Sequence, residues 1–283
     1  MNYAEWYAKY LQLYKRKLAP KTRESYDQVT RLYILPAVAD AQLGDITPEH
    51  VQLAINAAAD HGGRQAQIVF SVFHAVMRRA YRSRLILWNP VDAIDKPEHV
   101  QEQGKALSAA DLQITEPLIR DDLSLSLALY AGLRRGEICG LQWGDVDLQH
   151  GVLHVRRQRC RADGQMITKS PKSRAGVRDI PIAPELLPLL KAAFKLRPSA
   201  WVVDVMPEQI TRRWNNIQRI VPISEHYRLH DLRHTYGSRL VLDGVNLRVV
   251  QYLMGHSKID ITMRVYSHCR ASDAQKELRR VYG

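Results

Sequence analysis

At 283 residues the chain can hold one large domain or two of ordinary size, and either can bury a core. It carries 41 Lys and Arg against 29 Asp and Glu, a formal net charge of +12, with 13 against 9 in positions 1–96 and 28 against 20 in positions 97–283, so both parts favour a polyanionic partner. No apolar run reaches the ~18 residues of a membrane span, so no transmembrane helix is expected, and the opening MNYAEWYAKY lacks the basic and apolar regions of a signal peptide.

Residues 1–88 read as helical. Asn2–Arg16 is aromatic and basic, and Pro20 opens a second helix with Thr22, Arg23 and Tyr26 on its early turns and Leu32 and Ile34 later. In Gly44–Glu49, Thr47 is placed as N-cap and Pro48 at the first position of a third helix. The fourth is the clearest: Ile68, Val69, Val72, Phe73, Val76, Met77 and Ala80 share one face, and Arg78, Arg79, Arg82 and Arg84 crowd the far end.

Asn89-Pro90 ends that helix, and the polar stretch to about Lys105, with Pro97 and Gly104, reads as a linker. Ser108 restarts the chain as an N-cap, with Asp111 in the reciprocal position. Leu123–Tyr130 is an apolar helical run ending at Ala131-Gly132. The period then changes. Val152–Arg156, Gln165–Thr168 and Val177–Ile182 are short and β-branched, which predicts one small antiparallel sheet with Lys172 near a hairpin turn. From Pro184 to about Arg280 the pattern is helical again. The three cysteines, Cys139, Cys160 and Cys269, are odd in number and far apart, and are expected to be reduced thiols of a cytoplasmic protein.

The chemistry sits on His230-Asp231-Leu232-Arg233, Gly255-His256 and Tyr266, with Gly132-Leu133-Arg134-Arg135-Gly136-Glu137 upstream. In-line attack on a phosphodiester gathers negative charge on two non-bridging oxygens. Arg suits that task, because its planar fork donates two bonds and stays charged. Arg134 and Arg233 are the candidates. His230 and Arg233, three apart, share a helix face. A Tyr hydroxyl, with an ordinary pKa of ~10, needs a base or a cationic field to attack at neutral pH. His230, His256 and the two Arg would supply it for Tyr266. Spacing alone does not choose Tyr266 over Tyr236 or Tyr252, which lie closer to the His-Arg pair. Lys172, flanked by Lys169 and Arg174, could protonate the leaving oxygen or grip the backbone. Glu137 is expected to orient Arg134 or close a helix turn. No acidic cluster of the two-metal type and no Gly-rich phosphate loop is present, so no cofactor or metal is expected.

Taken together, GLRRGEICGLQWGDVD, SPKSRAGVRDIPI, HDLRHTYGSRLVLDGV and QYLMGHSKIDITMRVYSH resemble the boxes of the tyrosine recombinase (phage integrase) family. The resemblance is dense from about residue 106 to 270 and looser over 1–96, chiefly in KTRESYDQVTRLYILPAV and LGDITPEHV. It implies a mainly α fold with a small antiparallel sheet: a helical, SAM-like core-binding domain (1–96), a linker (97–105) and a mixed α/β catalytic domain with a C-terminal tail (106–283). It places Arg134, Lys172, His230, Arg233, His256 and Tyr266 on the family's catalytic positions, with Tyr266 the nucleophile that forms a 3′-phosphotyrosine link and Glu137 in support.

The resemblance further implies double-stranded DNA clamped between the two domains, a homotetramer on paired sites reached through a Holliday junction, and accessory bending or excision factors. Lys21, Arg23, Arg78, Arg79, Arg82, Lys169 and Arg174 are the candidate DNA contacts. The tail is expected to dock on a neighbouring protomer. Many phage integrases begin with a further arm-binding domain; this chain opens directly on the core-binding-like part, which fits either a subtype without it or a shortened chain. The alternatives to integration or excision of a mobile element are a type IB topoisomerase-like relaxing enzyme and a catalytically silent DNA-binding protein.

Overall fold

The computed structural model describes residues 1–39, 41–99, 104–162, 164–171 and 173–257. The chain divides into two compact units, residues 1–102 and 103–283. Each described part has its own hydrophobic core.

The first unit is helical. α1 (Tyr3–Tyr14) begins with a reciprocal cap: Glu5 N–H donates to the Asn2 side chain at 2.9 Å and Asn2 N–H to Glu5 Oε2 at 3.1 Å. Its aromatic stripe turns inward. Tyr3, Trp6, Tyr7 and Tyr10 are buried, and the Trp6 indole N–H donates to the Val76 carbonyl at 3.0 Å. α2 (Pro20–Val29) runs through a π-helical turn, Thr30–Ile34, into α3 (Leu35–Val38). The wide turn stands just before Pro36, which has no N–H to continue an α-helical ladder back to Leu32. α4 (Pro48–Ala59) starts as expected, with Thr47 N–H donating to His50 Nδ1 at 3.0 Å. α5 (Gly63–Arg82) buries Val69, Val72, Phe73, Val76, Met77 and Ala80.

The second unit mixes helices with two small antiparallel sheets. α6 (Ala109–Arg120) is capped by Ser108, whose hydroxyl accepts from Asp111 N–H at 3.0 Å. α7 (Leu123–Tyr130) is buried on all sides, and α8 (Arg135–Gly140) follows. β1 (Val146–Asp147), β2 (Val152–Val155) and β5 (Arg178–Pro181) form one sheet in the order β1-β2-β5, while β3 (Gln158–Ala162) and β4 (Gln165–Lys169) form a separate hairpin.

The single three-stranded sheet of the sequence reading is therefore corrected to two sheets. β2 pairs directly with β5, Leu153 opposite Ile180, and β4 pairs only with β3. The β3–β4 hairpin turns between Ala162 and Gln165, and β5 belongs to the other sheet; Lys172 itself lies outside the described residues. α9 (Leu186–Leu196), α10 (Pro207–Ile220), α11 (Leu229–Leu242) and α12 (Leu247–Met254) complete the described chain. Among the described residues no helix is long and apolar enough to cross a membrane. The expected helix toward Arg280 lies outside the described residues.

Candidate active site

The site is organised around the end of α12. Gly255 adopts φ +58°, ψ +44°, and its N–H and that of His256 return to the carbonyls of Tyr252 (2.9 Å) and Gln251 (3.1 Å). This left-handed cap suits glycine. It also admits a close neighbour: a Cβ at Gly255 would meet the Ala175 carbonyl oxygen at 2.9 Å and Arg178 Nη1 at 3.0 Å.

Two arginines converge there. Arg134 is the N-cap of α8; its Nη1 donates to Glu137 Oε1 at 2.8 Å and its Nη2 to the Gly255 carbonyl at 3.0 Å. Arg233 on α11 is buried, with Nη1 on the Gly132 carbonyl and Nη2 on the Met254 carbonyl. The Arg134 side chain stays 37% exposed, so in this conformation it is the more open of the two cations.

Glu137 sits beneath them, 4% exposed. Burial alone would raise its pKa, but Arg178, Arg134 and Arg233 overcome that and hold it down at about 2. It accepts from both the Arg134 guanidinium and, at 2.9 Å, the Arg134 backbone N–H, so it holds that side chain and closes the first turn of α8. Arg178 went unnoticed in the sequence. Its Nη2 donates to Glu137 Oε2 at 3.0 Å, its Nη1 to Glu137 Oε1 at 3.2 Å and to the Gly176 carbonyl at 3.1 Å, and its Nε to the Leu253 carbonyl at 2.7 Å. The signal was present: Arg178 lies two residues before buried Ile180, and period-two alternation turns both inward.

The two histidines are neutral at ordinary pH. His256 is pushed down to about 3 by burial and by the charges of Arg233 and Arg134. His230 is lowered in the same direction, by crowding and then by His234, Arg233 and Arg134; its side chain keeps an open face to solvent, which moderates the burial contribution. His230 and His234 meet edge to face, ring centres 4.9 Å apart. Tyr236 packs on Gly132, and burial raises its hydroxyl pKa, the reverse of what a nucleophile needs. Exposed Tyr252 accepts the Asp179 N–H at 3.1 Å. Lys172, Tyr266 and the tail lie outside the described residues.

Among the candidate DNA contacts, Arg78, Arg82 and Arg174 are exposed and Lys169 is half-buried. Lys21 pairs with Glu24 at 2.9 Å and Arg23 with Asp27 at 3.8 Å. Arg79 differs: its guanidinium lies 3.7 Å over the Tyr14 ring and packs there. A cationic surface beside the site was missed. Arg135, Thr211, Arg228 and His230 help line one cavity, of about 330 Å³, and Arg135, Arg212 and Arg219, with Glu208 the one acidic residue, line the next, of about 320 Å³. Its residues are scattered between 135 and 230, which hides it from a local scan. Among the described residues no group of three or more His, Cys, Asp or Glu could hold a metal.

Comparison with known proteins identifies the family. The phage integrase family model matches residues 101–273, and that of the phage integrase N-terminal SAM-like domain matches residues 2–58. The chain belongs to the phage integrase family. This integrase-family chain is 30% identical over 171 residues to a XerC-like tyrosine recombinase of Caldanaerobacter subterraneus subsp. tengcongensis, covering 50% of this chain and 44% of that protein. The chain spans about half the length of the first curated relatives it matches. Against a XerD tyrosine recombinase of Lacticaseibacillus casei it is 26% identical over 280 residues, covering 90% and 89% of the two chains. A solved integrase of the Tn1549 transposon, in complex with a circular intermediate DNA, superposes with a TM-score of 0.81 at 21% identity over 99% of each chain, which establishes the shared fold.

Proposed function

We propose that this integrase-family chain is a site-specific tyrosine recombinase that cuts and rejoins DNA through a 3′-phosphotyrosine intermediate, integrating or excising a mobile element. One observation carries the reading. Arg134, Arg233 and His256 come together on the end of α12, ahead of the segment that holds Tyr266.

In the proposed cycle the Tyr266 oxygen attacks the scissile phosphorus and the bond to the 5′ oxygen breaks. Arg134 and Arg233 stabilise the charge on the non-bridging oxygens, worth ~3–4 kcal/mol per well-aimed donor. Once the phosphate anion offsets the arginine charges that lower them, His230 and His256 can accept the tyrosine proton, and Lys172 gives one to the leaving oxygen. The ester conserves the energy of the broken bond, so a 5′-hydroxyl from a second duplex can reverse the step. Exchange of four strands at one nucleophile per chain calls for a tetramer on paired sites. The core-binding-like domain, residues 1–96, and the catalytic domain, from 106 onward, would both hold duplex DNA.

The test uses the duplex that the full chain retains from a randomised double-stranded library, nicked beside the scissile position so that cleavage traps the protein on DNA. The wild-type chain should form a covalent adduct, and Tyr266→Phe should bind the same duplex and form none. An adduct with the Phe variant would dismiss the nucleophile. Relaxation of any supercoiled plasmid without exchange between two duplexes would favour a topoisomerase.

A further inference from the structure

Arg178 and Arg233 are the two guanidiniums among the largest fully buried side chains. Arg233 has a part in the proposed chemistry and Arg178 has none, yet Arg178 is bound as tightly. Its side chain is 0% exposed and its donors reach Leu253, Gly176 and both oxygens of Glu137. A buried ion pair contributes little net stability over well-packed apolar groups of the same volume, because desolvation consumes the Coulombic gain. Stability alone therefore does not call for this arginine. Nor does charge balance, since Arg134 already pairs with Glu137 at 2.8 Å.

The partners explain the arrangement. Glu137 aims Arg134; Leu253 stands at the end of α12, just before His256; Gly176 closes the turn that follows Lys172. Two of them tether segments that carry a candidate catalytic residue, Arg134 at the start of α8 and His256 just past α12, and the third is the 174–176 turn. Arg178 lies where these elements meet, and Gly255 comes close enough that a Cβ there would touch it. The shared Oε1 atom, bonded by Arg134 Nη1 and Arg178 Nη1, fixes the carboxylate from two sides.

We infer that Arg178 is a positioning residue for strand cleavage: it holds Glu137, the end of α12 and the 174–176 turn in register, so that Arg134 and His256 address the same phosphate. The inference rests on the recombinase reading above. The charged groups around Glu137 are Arg134 on its own element, Arg178 from β5 and Arg233 from α11, with His256 and the Tyr236 hydroxyl beyond them. Removing Arg178 leaves two cations to hold the carboxylate ionised, so protonation of Glu137 moves up toward the working range and frees Arg134.

The experiment measures adduct formation on the nicked duplex and binding to the intact duplex, for the wild type, Arg178→Gln and Arg178→Lys. Arg178→Gln should bind normally and lose cleavage on the acid side, through a limb that lies at higher pH than any in the wild type. Arg178→Lys keeps the charge but not the fork, and should bind within about twofold while cleaving about tenfold more slowly. A merely structural arginine predicts a loss of the same factor at every pH, and that result would overturn the inference. If Arg178→Gln does not fold, the lysine variant decides, and wild-type cleavage by it sinks the proposal. If the wild type itself forms no adduct, the recombinase reading fails first, and the inference goes with it.

Discussion

Arg134 and Arg233 donate to adjacent carbonyls, Arg134 to Gly255 at 3.0 Å and Arg233 to Met254. Two cations from different elements are thereby set side by side before any substrate arrives. Their spacing is fixed by the backbone of a third element, which is the kind of preorganisation that charge stabilisation requires.

Arg134→Lys should therefore fold and bind DNA yet cleave at least about a hundredfold more slowly, because one ammonium cannot bond Glu137, Gly255 and a phosphate in fixed directions. Single-turnover adduct formation beside a binding titration separates the two effects. Cleavage near the wild-type rate would show that charge suffices.

Gly255→Ala should be destabilising by roughly 1–3 kcal/mol, since alanine must adopt a positive φ and its Cβ meets the Ala175 carbonyl. Thermal unfolding measures the loss. Cleavage should fall further than stability does, because the cap carries both arginine anchors. An unchanged melting temperature would show that the turn relaxes freely.

Acid should destabilise the protein in two windows. His256 and His230 bind protons less readily folded than unfolded, so stability falls as pH drops through their ordinary 6.5. Glu137 and Asp111, both held at about 2 in the fold, contribute stability that is full above their ordinary 4.5 and 3.8 and is lost as pH falls toward 2. Glu137→Gln should flatten the lower window in a denaturant series run across pH. An equally steep acid limb in that variant would remove Glu137 from the account.

The α10 surface should act on affinity rather than chemistry. Arg212→Ala and Arg219→Ala should weaken duplex binding and each lower the slope of log affinity against log salt by about 1. Cleavage at saturating DNA should hold. A salt slope equal to the wild type would place DNA elsewhere on the second unit.

Much of the framework was legible because its signals are local. The caps at Thr47 and Ser108, the inward face of α5 and the apolar run of α7 each sit within a few residues of the feature they predict. The Arg134–Glu137 pairing follows in the same way, from three-residue spacing at a helix start. β3 was missed because QRCRA has no apolar alternation; backbone pairing with β4 makes it a strand. That omission merged two sheets into one. Arg178 and the α10 surface were missed for a different reason. Their importance lies in partners far along the chain, such as Glu137 for Arg178, 41 residues away, and no window of sequence contains both.

The anchor between Arg134 and Gly255 spans 121 residues of chain. A polypeptide emerging from the ribosome can finish the first unit, and most of the second, while Arg134 still has no carbonyl to rest on. Through that interval a nascent chain could hold DNA by its basic surfaces with no means of nicking it. Under the proposed reading, the paired arginine anchor is therefore completed only late in synthesis, when the turn at Gly255 forms.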